Sequence, residues 1–301
     1  MKGALALALT MAPTFASADC KSDSAFFQAA IESRGYVIEA IGDVQEAGEA
    51  CSLEGLAFTE ENLAVDIAKM TWRLQGLDAL TTGEGRLSFE ATLTDLRLSP
   101  RTSDRWVSYM LAQQNRRNTI DATFSATWDL PTGVLVVETL DIDLPGDNRM
   151  TFDQRVSGAT TALLTGNPAA LEALSLDHMA LTIKNRGFAD SLILGPLIAS
   201  LAEVPGAPET VIEGTKRDFR ALVSNLPTDV FDADTKTALV RLIDAGPVPW
   251  GELTVQIVPN PTIALAPFFA APLQNLTPDS VSTLFQGGKV EVTFEEDTGE
   301  E

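Results

Sequence analysis

Strict alternation of apolar and polar positions dominates residues 118–156. Ile120, Ala122, Phe124, Ala126 and Trp128 interleave with Thr119, Asp121, Thr123, Ser125 and Thr127. Successive strand side chains point to opposite faces, so this spacing predicts one apolar and one wet face. Asp129-Leu130-Pro131-Thr132-Gly133 is turn chemistry, after which Val134, Val136, Leu140, Ile142 and Leu144 bring the apolar positions back. Pro145-Gly146-Asp147-Asn148 turns again, and Met150, Phe152 and Val156 begin a third pass. The pattern predicts a β-meander of long antiparallel strands.

The flanking sequence extends this picture in both directions. Residues 22–32 read as a short helix with Phe26, Phe27, Ala30 and Ile31 as its apolar stripe and Gly35 as its stop. Short strands broken at Gly42, Gly48 and Gly55 follow. Leu63, Val65 and Ile67 alternate, then Met70, Trp72 and Leu74 do so in the other phase; Leu87, Phe89, Ala91 and Leu93 form a further strand. A phase slip at Thr94-Asp95, before Leu96 and Leu98, is the mark of a β-bulge. Ser103 or Asp104 can cap a helix carrying Trp106, Val107, Met110 and Leu111.

Beyond residue 159 helical spacing takes over. Asn167-Pro168 opens a brief helix, residues 176–183 return as a strand, and residues 209–223 and 234–243 read as two amphipathic helices. Two apolar segments, 192–201 and 263–269, offer covers for a sheet. Asp279 can cap a last short helix, and Leu253, Val255, Ile257 and later Val290, Val292, Phe294 are strand-like. The expected fold is α+β: a long antiparallel β-meander with helices from the second half covering one face. Its expected divisions are a leader over 1–18, a β-rich region over 19–160, a mainly helical region over 161–250, strands returning to the sheet over 251–294, and an acidic disordered tail over 295–301.

Composition sets the compartment. Lys2, the apolar run 4–11 and Ala16-Ser17-Ala18 have the order of a cleavable secretory signal peptide, cut after Ala18. The apolar run is about half the ~20 residues a membrane-spanning helix needs, so no transmembrane segment is expected in the mature chain. Periplasmic export follows, and in that compartment Cys20 and Cys51, the only cysteines, are expected to form a disulfide. Closing a loop of this length contributes about 3–4 kcal/mol on chain-entropy arithmetic. With 42 Asp and Glu against 21 Lys and Arg, the chain is repelled by nucleic acid and by anionic lipid surfaces.

Catalytic signatures are scarce. His178 is the sole histidine, and no G-x-S-x-G or H-E-x-x-H motif occurs. Ser175 lies three residues before His178, a spacing that sends the two to opposite faces of a strand. Asp141, Asp143 and Asp147, and again Asp229, Asp232 and Asp234, cluster without the glycine or closing glutamate of a calcium loop; turn formation and helix capping account for them. Neither a metal nor another cofactor is expected.

What remains is shape. A one-sided meander must shelter its apolar face, and Phe89, Leu93, Ile120, Phe124 and Trp128 are the candidate lining of a groove fit for an acyl chain. Arg97, Arg101, Arg105, Arg116 and Arg117 gather around the predicted helix at 103–114 as candidate contacts for phosphate or carboxylate groups. The strand style of Gly35-Tyr36-Val37-Ile38, of Leu181-Thr182-Ile183-Lys184-Asn185-Arg186-Gly187 and of Leu253-Thr254-Val255-Gln256-Ile257-Val258-Pro259 resembles the AsmA-like and related β-rich envelope proteins of Gram-negative bacteria. That resemblance implies β-rich folds with apolar grooves and a part in outer-membrane lipid homeostasis, and it assigns no individual residue. The expected function is a non-catalytic periplasmic protein that binds a lipid, another apolar ligand or an envelope partner. The alternatives are a carboxylate-based glycan hydrolase and a structural envelope assembly module.

Overall fold

The computed structural model describes residues 19–33, 35–60, 63–100, 106, 109, 113, 118–164, 167–188, 206–260, 262–266, 283, 285 and 287–297. The predicted leader, most of the predicted helix at 103–114, the segment 192–201, residues 267–269 of the segment 263–269 and most of the helix after Asp279 lie outside the described residues.

Helix α1 (Cys20–Ser33) leads into strands β1 (Val37–Ile41), β2 (Val44–Ala47), β3 (Ala50–Glu60) and β4 (Leu63–Gln75). The short α2 (Ala79–Thr82) precedes β5 (Arg86–Pro100). The predicted meander is present as β6 (Ile120–Asp129), β7 (Val134–Leu144) and β8 (Asn148–Ser157). Then come α3 (Pro168–Glu172), β9 (Ser175–Asn185), α4 (Pro208–Ser224), α5 (Ala233–Ala245), β10 (Gly251–Val258), β11 (Ile263–Ala264) and β12 (Lys289–Glu296). Asn167 caps α3 through its side chain, with Pro168 in the first turn, as its sequence predicts.

The twelve strands of the described residues belong to one antiparallel sheet in the order β1-β3-β4-β5-β6-β7-β8-β9-β10-β12, with β2 added on β3 and β11 on β9. The fold is α+β. The sheet passes through all three of the regions that composition separates. Strand β12 also reaches Glu296, two residues into the stretch expected to be a disordered tail.

Register explains how the faces stay separate across so many strands. One row of paired residues runs Trp72, Ala91, Phe124, Leu140, Phe152, Leu181, Val255, Val292. The adjacent row, on the opposite face, runs Thr71, Thr92, Thr123, Asp141, Thr151, Thr182, Thr254, Thr293. A slip of one residue at any pair would exchange the two rows, so the apolar face specifies the register of the whole sheet. On the wet face the β-branched threonines suit pleated backbone, and the Thr182 and Thr254 hydroxyls lie 3.3 Å apart.

Glycine at position 55 does not end a strand, contrary to its expected role as a break. Strand β3 runs through Gly55 at φ +78°, and Asp95, in β5, has φ +53°. Both lie in one row with Ala68, where the inward positions of β4 change from Val65 and Ile67 to Met70, Trp72 and Leu74. The phase slip is therefore shared by three strands, and the β5–β6 register absorbs it between Leu93 and Leu96.

Helices shelter the two ends of the apolar face. Helix α1 packs on β1, β2 and β3, over a core that includes Cys51, Leu53, Leu56, Ile67, Trp72 and Leu74. At the other end α5 packs on β12 and α4 on α5, around Phe231, Ala238, Ile257, Val290, Val292 and Phe294. The middle of the face, including Phe124, Leu140, Phe152 and Leu181, is only half-buried.

Candidate functional site

An apolar pocket of about 510 Å³ lies between α1 and the sheet. The helix sequence dictates how its roof is built. Asp19 accepts a hydrogen bond from the Lys21 backbone N–H at 3.1 Å, closing the first turn. Cys20, Asp23, Phe27 and Ile31 then recur at helical spacing and turn toward the sheet. The Cys20–Cys51 disulfide, with Cα atoms 5.4 Å apart, pins the amino-terminal end of α1 onto β3.

Below the roof the aromatic rings interlock. Phe27 meets Trp72 edge to face at 5.6 Å between centroids and lies 5.3 Å from Phe89, which in turn lies 5.7 Å from Phe124. Tyr36 packs edge to face on Phe58 at 5.5 Å. Leu53, Leu56, Ile67, Met70 and Leu93 complete the apolar wall. Two polar groups enter from the helix: Ser24, 4% exposed, and Gln28, whose Nε2 donates to the Ser24 Oγ at 3.1 Å.

Asp23 is the buried carboxyl of this region, and it accepts a hydrogen bond from Trp72 Nε1 at 3.3 Å. Burial pushes its pKa up, the Trp72 bond pulls the other way, and the Asp19 charge adds to the rise. The Cys51 sulfur lies 3.9 Å away. Being disulfide-bonded it has no proton to donate, so this is a packing contact.

Of the expected groove residues, Phe89 and Leu93 line the pocket, and Phe124 touches it through Phe89. Ile120 and Trp128 lie elsewhere, both buried; the Trp128 indole donates to the Ala159 carbonyl at 3.3 Å in a separate small cluster. Trp72 is legible as an apolar strand position and Phe27 and Ile31 as a helical stripe, but none of the three is an expected groove residue, and Ser24 and Gln28 carry no sequence signal of their own. What joins the helix residues to Trp72 is the Cys20–Cys51 pair, which places the helix on β3. Among the expected anion contacts, Arg97 stands on β5 opposite Asp66 of β4; Arg101, Arg105, Arg116 and Arg117 lie outside the described residues.

A second, polar cleft of about 840 Å³ opens near the threonine row. Two of its carboxylates, Asp141 and Asp147, are engaged by cations. Asp141 accepts from Arg149 Nε at 2.8 Å, and Asp147 from Lys184 Nζ at 2.8 Å. These bonds hold both carboxyls below their usual range, the opposite of what a general acid requires. Asp232 caps α5, accepting from the Thr235 N–H at 2.8 Å, and that bond lowers its pKa too. His178 Nε2 lies 2.9 Å from Asp153 Oδ1. Among the described residues no group of three or more His, Cys, Asp or Glu side chains has the arrangement to hold a metal ion, and no helix is long and apolar enough to cross a membrane.

No family model matches this chain, and no curated protein matches it in sequence.

Proposed function

We propose that this chain is an exported, non-catalytic envelope protein, of the AsmA-like kind its strands resemble, that binds a lipid or another apolar ligand beneath α1. The observation that carries the reading is the pocket of about 510 Å³, whose fourteen described lining residues include no charged side chain. Ligand sites are concave, mostly apolar and typically ~300–1,000 Å³, with a few placed polar groups. Here Ser24 and Gln28 are those groups. The half-buried middle of the sheet continues the apolar surface from Phe89 through Phe124 to Leu140 and Phe152. The disulfide supports an oxidising compartment.

The test is native mass spectrometry of protein purified from its own envelope fraction, followed by solvent extraction. A reproducible lipid-sized adduct that extraction removes is expected. Delipidated protein should then enhance the fluorescence of N-phenyl-1-naphthylamine. Ligand-free preparations that also leave the dye dark would sink the reading.

A further inference from the structure

The pocket's polar atoms narrow the ligand further, an inference that rests on the apolar-ligand reading above. We propose that the site takes a single acyl chain whose head is an uncharged hydrogen-bonding group, an ester, amide or alcohol, in preference to a free carboxylate.

The chain part follows from volume and wall. About 510 Å³ bounded by Phe27, Ile31, Leu56, Met70, Phe89 and Leu93 suits one long aliphatic chain and is too small for a lipid with several. The head part follows from what the wall lacks. Among the described lining residues the non-aromatic polar side chains are Ser24 and Gln28, the Tyr36 phenol is the remaining hydroxyl, and none is Lys, Arg or His. A carboxylate drawn into this wall would lose its hydration with no cation among the described lining residues to meet it.

Ser24 and Gln28 stand one helical turn apart, on the same side of α1 as Phe27 and Ile31. The Gln28 amide N–H already donates to the Ser24 oxygen, which leaves the Ser24 hydroxyl proton to donate and the Gln28 carbonyl to accept. One donor beside one acceptor, both neutral, complements an amide, an ester with a free hydroxyl, or an alcohol. The neighbouring Asp23 and Asp19 carboxyls add repulsion against a second anion at this end of the helix.

Isothermal titration calorimetry at pH 8 on the delipidated full mature chain tests this with three probes of equal chain length: 1-dodecanoylglycerol, dodecanamide and dodecanoate, each below its aggregation threshold. The two neutral probes are expected to bind at least about ten-fold more tightly than dodecanoate, about 1.4 kcal/mol. The Ser24→Ala, Gln28→Leu double variant should bring the three within about three-fold of one another (about 0.7 kcal/mol) while chain binding persists. Ser24→Ala alone provides the milder version if the pair perturbs folding. Dodecanoate binding as tightly as the neutral probes overturns the inference and leaves the apolar-ligand reading standing. A preference unchanged by both variants also overturns it, because the head then lies elsewhere. Binding by none of the three overturns the pocket reading itself.

Discussion

The Asp23 carboxylate of α1 accepts its hydrogen bond from the Trp72 indole of β4, 3.3 Å away, beside the bond that joins Cys20 to Cys51. Trp72 is 2% exposed and Asp23 is 4% exposed, so a potential charge is enclosed in the core it helps to close. The carboxyl's pKa is raised in the folded chain, chiefly by burial. A raised carboxyl pKa means that the folded chain binds a proton more tightly than the unfolded one. The stabilisation is complete below the unfolded value of 3.8 and fades as pH rises through the folded value. Asp23→Asn keeps an acceptor for the indole and removes the charge. Its melting temperature should exceed that of the parent at pH 7, with the gap closing toward pH 4. Asp23→Ala strands the buried indole N–H and should melt lower than the parent at both pH values, by about 2–4 °C for each kcal/mol lost. Calorimetric melts across pH 4–7 decide it.

The disulfide ties the roof of the pocket to its floor, which couples stability to binding. Replacing both Cys20 and Cys51 with serine should cost about 3–4 kcal/mol of stability through the loop it closes. Dye binding in the pocket should fall as well, because α1 loses its covalent anchor on β3. Urea midpoints and dye titrations on the same preparations measure both. A variant that loses the stability and keeps undiminished dye affinity would separate the helix from the site.

The shared phase slip of β3, β4 and β5 makes a sharper backbone prediction. Asp95 holds φ +53°, and its N–H donates to Asp121 Oδ1 at 2.8 Å. Asp is among the few non-glycine residues that adopt this conformation readily, and a β-branched side chain is not. Asp95→Gly should leave the urea midpoint nearly unchanged. Asp95→Val should lower stability by about 1–2 kcal/mol. Asp121→Ala should lower it by about 0.5–1.5 kcal/mol, the worth of one hydrogen bond. Equal midpoints for the Gly and Val variants would show that the slip carries no strain.

Much of the sheet is legible in the sequence because its signal is local. The alternation from Ile120 to Trp128 and the slip at Thr94-Asp95 specify strands and a bulge from consecutive residues alone. Gly55 misleads as a break because a positive φ serves a change of face within a continuous strand as well as a turn between two. The candidate site is legible only by half. Phe89 and Leu93 lie on the correct face, but every strand of the meander carries an equivalent face, so alternation cannot say which part α1 covers. Ile120 and Trp128 satisfy the same pattern and end in closed packing, Trp128 because its indole reaches the Ala159 carbonyl. The register rows, which bring Trp72 level with Ala91 and Phe124, depend on pairing across three strands and have no sequence-local mark.

Consecutive residues of β5 give the most direct separation of the two faces. Leu93 lines the apolar pocket, whereas Thr92 lies in the threonine row and is exposed. A glutamate at either position meets the same backbone and the same strand propensity, so the two variants differ in the face that receives the charge. In Leu93→Glu the carboxylate replaces an aliphatic wall beside Met70 and Phe89, where no cation stands among the described lining residues. It should abolish dye and acyl-chain binding and lower stability by about 1–3 kcal/mol, because Leu93 is half-buried and the carboxylate put there is partly desolvated. Thr92→Glu enters water and should change stability by no more than about 0.5 kcal/mol with binding intact. To keep binding separate from folding, Leu93→Ala supplies the intermediate case: a folded chain with an enlarged pocket whose affinity for a fixed-length acyl probe is reduced, not lost. Dye affinity surviving in Leu93→Glu, in a chain shown by circular dichroism to be folded, would mean that the ligand lies on some other surface of the sheet.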